Sequence, residues 1–164
     1  MNLRPLLATL CLVALAARAD DVPALPDRLV ELLDECGLDH SIDDDGEARL
    51  LIDTGDERDQ LVWVRTGLTP LGDANLFHVY SFSHQSKQPV PRDRVSKLLQ
   101  ENPRLILGAW SLCHAPDGEE WKWRVVLSAE LPDSVDAGQF KTAILSVAST
   151  ADRMEKNWTD TDRF

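Results

Sequence analysis

The chain has 164 residues, with 28 acidic against 17 basic side chains and a formal net charge of −11. That length suits one domain with a core of its own. A surface of this sign repels phosphate backbones and anionic bilayers, so neither nucleic-acid binding nor membrane-surface binding is expected.

The first nineteen positions read MNLRPLLATLCLVALAARA. Arg4 makes a short basic start, Leu6 to Ala16 is apolar except for Thr9, and Ala17-Arg18-Ala19 forms a small-residue cleavage site before Asp20. This is the layout of a secretory signal. The apolar run falls short of the roughly 20 residues that cross a bilayer. Cys11 follows Leu10, where lipoprotein processing wants a small residue. The expectation is a signal peptide over 1–19 and a single periplasmic or secreted domain over 20–164. Loss of Arg4 and Arg18 takes the net charge from −11 to −13. Two cysteines remain, Cys36 and Cys113. In an oxidising compartment they are a candidate disulfide; two free thiols is the other reading.

Ala24 to Gly37 has Leu25, Leu29, Leu32, Leu33 and Cys36 at helical spacing, with Pro26 early and Gly37 at the stop. An acidic stretch follows, Asp43-Asp44-Asp45-Gly46-Glu47. A calcium loop of the EF-hand kind with Gly46 at its sixth place would put Ile52 where a bidentate carboxylate is required. Asp45-Gly46 between His40–Ile42 and Ala48–Ile52 is a hairpin signal instead. Ala48 to Asp53 alternates as a strand. Leu61 to Thr66 is rich in β-formers, and Thr69 to Ala74 is a turn cluster. Leu76 to Ser83 puts Leu76, His78, Tyr80 and Phe82 on one face, Phe77 and Val79 on the other.

A second helix spans about Arg92 to Glu101 and is stopped by Pro103. Leu105 to Cys113 reads as an apolar strand interrupted by Gly108. Ala115-Pro116-Asp117-Gly118 is a turn. The next strand alternates cleanly: Trp121, Trp123, Val125, Leu127, Ala129 and Leu131 against Glu120, Lys122, Arg124, Ser128 and Glu130, with Val126 the exception. A last helix runs from Asp133 or Ser134 to about Trp158 on a stripe of Phe140, Ala143, Ile144, Val147, Ala151, Met154 and Trp158. The order is α-β-β-β-(β)-α-β-β-α. It predicts an α+β domain with an antiparallel sheet of five or six strands and helices packed on it.

Chemistry-bearing patterns are sparse. The chain has no G-x-S-x-G, no C-x-x-C, no G-x-G-x-x-G and no P-loop. Cys113 and His114 are strand neighbours and point to opposite faces. His78 and His84 share a face only if the strand stays regular past Ser83. No catalytic, cofactor-binding or metal-binding residue is expected from this, and no cofactor. Trp121 and Trp123 share one strand face. They make a candidate aromatic platform for a ligand or peptide, or else core beneath the helices. Trp63 and Trp110 pose the same choice and are read as core.

Three segments, LVELLDECGLDHSIDDDG, KLLQENPRLILGAW and the LP that opens the last helix, together with the long alternating strand, resemble the YbjN family. Leu98-Leu99 to Asn102, followed by a strand containing Gly108, carries most of the likeness. The resemblance implies a fold like that of type III secretion chaperones and a regulatory role proposed to lie in sensory transduction. It implies no catalytic residue. A leader peptide is a departure from a cytoplasmic chaperone or regulator. The sequence therefore reads as an exported, non-enzymatic binding or regulatory module acting through contacts with a protein partner. An uncovered sheet edge would also allow a homodimer. The alternative is a metal-binding protein or hydrolase that uses the histidines and acidic residues.

Overall fold

The computed structural model describes residues 27–44, 47–66, 75–115, 120, 122–159 and 164. The leader, the Asp45-Gly46 turn, the 69–74 cluster, positions 116–118 and Trp121 lie outside them. The elements are α1 (Asp27–Cys36), β1 (Ser41–Ile42), β2 (Ala48–Gly55), β3 (Arg58–Thr66), β4 (Leu76–Ser86), α2 (Arg92–Glu101), a 3-10 turn (Asn102–Arg104), β5 (Ala109–His114), β6 (Trp123–Pro132) and α3 (Ala137–Trp158). The strands form one six-stranded sheet in the order β1-β2-β3-β4-β6-β5, antiparallel throughout. The α+β class and the element order agree with the sequence expectation.

Period-two alternation sorts the strands into two faces. Ala48, Leu50, Ile52, Val62, Val64, Phe77, Val79, Trp110, Val125, Leu127 and Ala129 are buried on one of them. Helical periodicity supplies the matching layer. Leu29, Leu32, Leu33 and Cys36 come from α1, Leu98 from α2, and Phe140, Ala143, Ile144, Val147, Ala148, Ala151 and Met154 from α3. All of these join one cluster. Phe77 and Phe140 meet across it with ring centroids 5.3 Å apart. Each fully buried large apolar side chain is worth about 1.5–3 kcal/mol, and the sum is set against the entropy of ordering the chain.

The structure corrects several boundaries. α3 begins at Ala137, because Asp133 and Ser134 turn and Asp136 is the N-cap, its carboxylate accepting from Gln139 N at 2.8 Å. The spacing Asp136-x-x-Gln139 signals that start. β5 begins at Ala109 and leaves Leu105–Leu107 outside the strand. Gly108 sits at φ +78°, and a Cβ there would lie 2.5 Å from Ser128 O. β4 continues to Ser86, past the expected end at Ser83, and carries a bulge between Phe82 and His84. The extra residue moves Phe82 and His84 to opposite faces.

The β2–β3 connection has Asp56 and Glu57 at φ 56° and 61°. Two successive left-handed residues match the twist of a tight hairpin. This hairpin docks on the far end of α3. Arg58 Nε meets Asp152 Oδ1 at 2.6 Å, Arg58 Nη2 lies 3.5 Å from the fully buried Glu155 Oε2, and Lys156 Nζ lies 3.2 Å from Asp56 Oδ2.

The β5 edge is partly closed from within. Trp110 N donates to Asn102 Oδ1 at 2.7 Å, and Asn102 Nδ2 donates to Trp110 O at 3.1 Å. One carboxamide thus stands where a neighbouring strand would pair. At the opposite edge, β1 pairs only Ser41 and Ile42 with Arg49 and Ala48. Its turn is held by Asp43, whose backbone N–H donates to Glu47 O and whose carboxylate accepts from Glu47 N, both at 3.0 Å. The hairpin reading of the acidic stretch holds in its flanking strands.

Candidate functional site

The second face of the sheet carries no helix among the described residues, since α1, α2 and α3 all pack into the cluster on the first. The residues there are those left over by alternation: Arg49 and Leu51 on β2, Trp63 and Arg65 on β3, His78, Tyr80 and Phe82 on β4, and Arg124, Val126 and Glu130 on β6. Leu51 is 63% exposed, and Trp63, Tyr80 and Phe82 are half-buried.

These three aromatic rings form a row. Trp63 stacks on Tyr80 at 5.6 Å with planes 11° apart, and meets Phe82 edge-on at 4.9 Å. Register explains the contact, because Trp63 is directly opposite Tyr80 and reaches Phe82 diagonally. Val126 is directly opposite Phe82, which explains why the one apolar residue on the polar side of β6 is buried.

Charges ring the row. Tyr80 Oη donates to Glu47 Oε2, and Arg65 Nη1 lies 3.1 Å from Glu47 Oε1. The Arg65 guanidinium also stands 5.3 Å from the Tyr80 ring centroid, and that of Arg124 stands 5.3 Å from the Phe82 centroid. His78 Nδ1 hydrogen-bonds Glu130 Oε1. Burial first, and then the Glu47 carboxylate, push the Tyr80 phenol well above its ordinary pKa. The neutral phenol is the form that donates to Glu47.

The sequence candidates fall differently. Trp121 is outside the described residues. Trp123 is partly buried against the core cluster, on the helix side with Val125, and its ring meets His114 at 5.0 Å. It is not on the open face. Trp110 is core at 2% exposure, as read, whereas Trp63 is not core but the centre of the aromatic row. Strand alternation alone could have found it, because Val62 and Val64 claim the core and leave Trp63 on the other side.

Cys36 and Cys113 are both free thiols, so the candidate disulfide is not formed. Cys36 ends α1 on the helix side, where its Sγ donates to Ala137 O at 3.1 Å, and burial raises its pKa. Cys113 is exposed on β5, three positions from the core-facing Trp110 and therefore on the other side of the sheet. A bond between them would have to pass through the sheet.

His78 and His84 do not share a face. The bulge turns His84 toward the helices, where its ring meets Trp158 at 5.6 Å. Among the described residues no three His, Cys, Asp or Glu side chains are placed to hold a metal ion. No helix there is long and apolar enough to cross a membrane.

A concavity of about 1030 Å³ lies between Leu105–Leu107 and α3, with Leu131, Val135 and Ala143 in its wall. Ile106 stands fully exposed at its lip.

Fold and site together define a small α+β protein with helices on one face of a single antiparallel sheet and an aromatic row on the other. No family model and no curated protein matches the chain. Among solved structures it is similar to the crystal structure of YbjN, a proposed transcription regulator from E. coli, at 16% identity and a TM-score of 0.41. The match covers 77% of this chain and 91% of that one.

Proposed function

We propose that the chain, after removal of residues 1–19, is a periplasmic or secreted non-enzymatic module of regulatory type that holds a protein partner on the open face of its sheet. The supporting observation is the row Trp63–Tyr80–Phe82, half-buried with no helix over it. Aromatic anchors at the centre of a patch, rimmed by arginine and carboxylate pairs, are the composition of protein interfaces. Cations stand over Tyr80 and Phe82 from within the chain. That arrangement favours a polypeptide partner over a small cationic ligand. The leader sequence supports export.

The test is capture from the native envelope fraction with the 20–164 domain and its Trp63→Ser variant, alongside sedimentation of each. A partner, or a second copy of the chain, should associate with the parent and be lost from the variant while cooperative thermal unfolding persists. The same proteins captured by both forms, with both monomeric, would remove the open face from the function.

A further inference from the structure

The concavity between Leu105–Leu107 and α3 lies on the helix side of the sheet, away from the aromatic row, since Leu131, Val135 and Ala143 in its wall belong to the core. An exposed isoleucine by itself is ordinary. Ile106 differs in how it is held. Leu105 and Leu107 pack on the core, so the residue between them points out. This short arm is pinned at both ends. Leu105 N donates to Asn102 O at 3.1 Å, and Gly108 approaches Ser128 O too closely for a Cβ to fit between them. Ile106 is thus a fixed apolar knob beside an apolar hollow.

The charge of the hollow is opposite to that of the molecule. The chain carries −11 overall, yet the ionisable side chains of the wall are Arg104, Arg153 and Asp136. Asp136 is already engaged, because its carboxylate caps α3 and accepts from Gln139 N at 2.8 Å. Arg104 and Arg153 have no carboxylate partner among the described residues. Two such guanidiniums beside apolar surface complement a segment that carries carboxylates next to apolar side chains.

Shape narrows the occupant further. The wall from Gly138 to Arg153 follows α3 for about 22 Å at the rise of an α-helix. Its side chains there are short, Thr142, Ser146 and Thr150 among them, and the helix backbone behind them is bonded within itself. That wall offers no free ladder to an extended strand. An occupant has to satisfy its own backbone groups, as a helix does.

We propose that this groove binds an amphipathic helical segment of a partner protein, whose apolar face covers Ile106 and whose flanking carboxylates pair with Arg104 and Arg153. It is a docking surface separate from the open face and does not depend on it. The apolar trough supplies the contact area, and the two arginines set the register and sign of what enters.

The experiment follows isoleucine methyl resonances of the full chain by NMR while two amphipathic helical peptides are added in turn, one of leucine and glutamate, the other with lysine in place of each glutamate. Ile106 reports on the groove. Ile42, half exposed on β1 at the far edge of the sheet, is the internal control. The glutamate peptide should move Ile106 saturably, leave Ile42 in place, and bind at least about tenfold more tightly than the lysine peptide. Net charge alone would give the opposite order. Arg104→Glu combined with Arg153→Glu should reverse the preference. Ile106→Ser, followed through backbone amides, should weaken the glutamate peptide about tenfold. Arg104, Ile106 and Arg153 are all exposed, so these variants keep the fold, and Trp63→Ser should leave the peptide affinity unchanged. Equal or tighter binding of the lysine peptide, or an Ile106 methyl that the glutamate peptide does not move, would overturn the proposal. So would an Ile106 signal that shifts with protein concentration alone, which would give the groove to a second copy of the chain. A groove that takes the peptide only after the residues before Asp27 are removed would give it to those residues, and would overturn the proposal as well.

Discussion

The two faces of the sheet are built from alternate residues of the same strands and obey different rules. On the helix side, Val62, Val64, Val79 and Val125 are fully buried and aliphatic, and three helices close over them. One residue away on the same strands stand Trp63, Tyr80 and Arg124, half-buried and tied by ring and cation–π contacts. Stability comes chiefly from removing apolar area from water, so the first face holds the fold together. The second face keeps aromatic area at the surface, which adds little to folding and is the surface we propose holds a partner. What differs is cover, since both sides contain large apolar side chains.

The sharpest way to break this contrast is to delete one large ring from each side. Phe140→Ala removes a fully buried ring against Phe77 and should cost about 3–5 kcal/mol in urea unfolding. Trp63→Ser should cost about 1 kcal/mol in the same experiment. Equal losses would mean that the open face is core. Next in size is Arg58→Ala. It takes away the guanidinium shared by Asp152 and the fully buried Glu155. The expected loss is about 3 kcal/mol, because a fully buried carboxylate loses a countercharge. Asn102→Ala removes both bonds to the Trp110 backbone. We expect about 1–2 kcal/mol from this change. It should also produce concentration-dependent association in sedimentation, as the β5 edge becomes available for pairing. A variant that stays monomeric would show that the edge is protected by other means.

The smallest effect is a pH dependence on the open face. Tyr80 is the single tyrosine of the chain, and its folded-state pKa is raised by burial and by Glu47. An unfolded tyrosine releases its proton near about pH 10. Its contribution to stability is complete below that point and is lost as pH rises further, because the unfolded state ionises first. The near-ultraviolet tyrosinate band should thus appear only as the protein unfolds in alkali. Tyr80→Phe should flatten that part of the stability curve. A tyrosinate band that grows while the fold is intact would show that Tyr80 is open to solvent.

Much of the frame was legible in the residues. Spacing identified α1, α2 and the stripe of α3, and alternation sorted the residues of β2, β4 and β6 onto two faces. Errors gathered where backbone chemistry is unusual or where both faces are apolar. Asp56 and Glu57 adopt left-handed φ although neither is a glycine, and Gly55 just before them, also at positive φ, was the turn signal that the strand reading passed over. The bulge at Ser83 has no glycine or proline, and it changed the sides of every residue after it. Leu105 to Leu107 read as strand because they are apolar, whereas Gly108 in its left-handed conformation postpones the strand. Trp63 was missed as a site because LVWVRT is rich in β-formers on both sides. Periodicity reports which residues share a face, and only the helices decide which face is covered.

The docking of the first full hairpin on the last helix has a temporal consequence. Arg58 is made early and waits for Asp152 and Glu155, and Asp56 waits for Lys156. A chain delivered N-terminus first, from a ribosome or through a membrane pore, cannot seal its core until almost all of it has emerged. Loop closure over such separations is slow compared with local helix formation. Until then β2 and β3 hold one sticky surface open, and the molecule is at its most vulnerable to proteases and to its own neighbours just before it is finished.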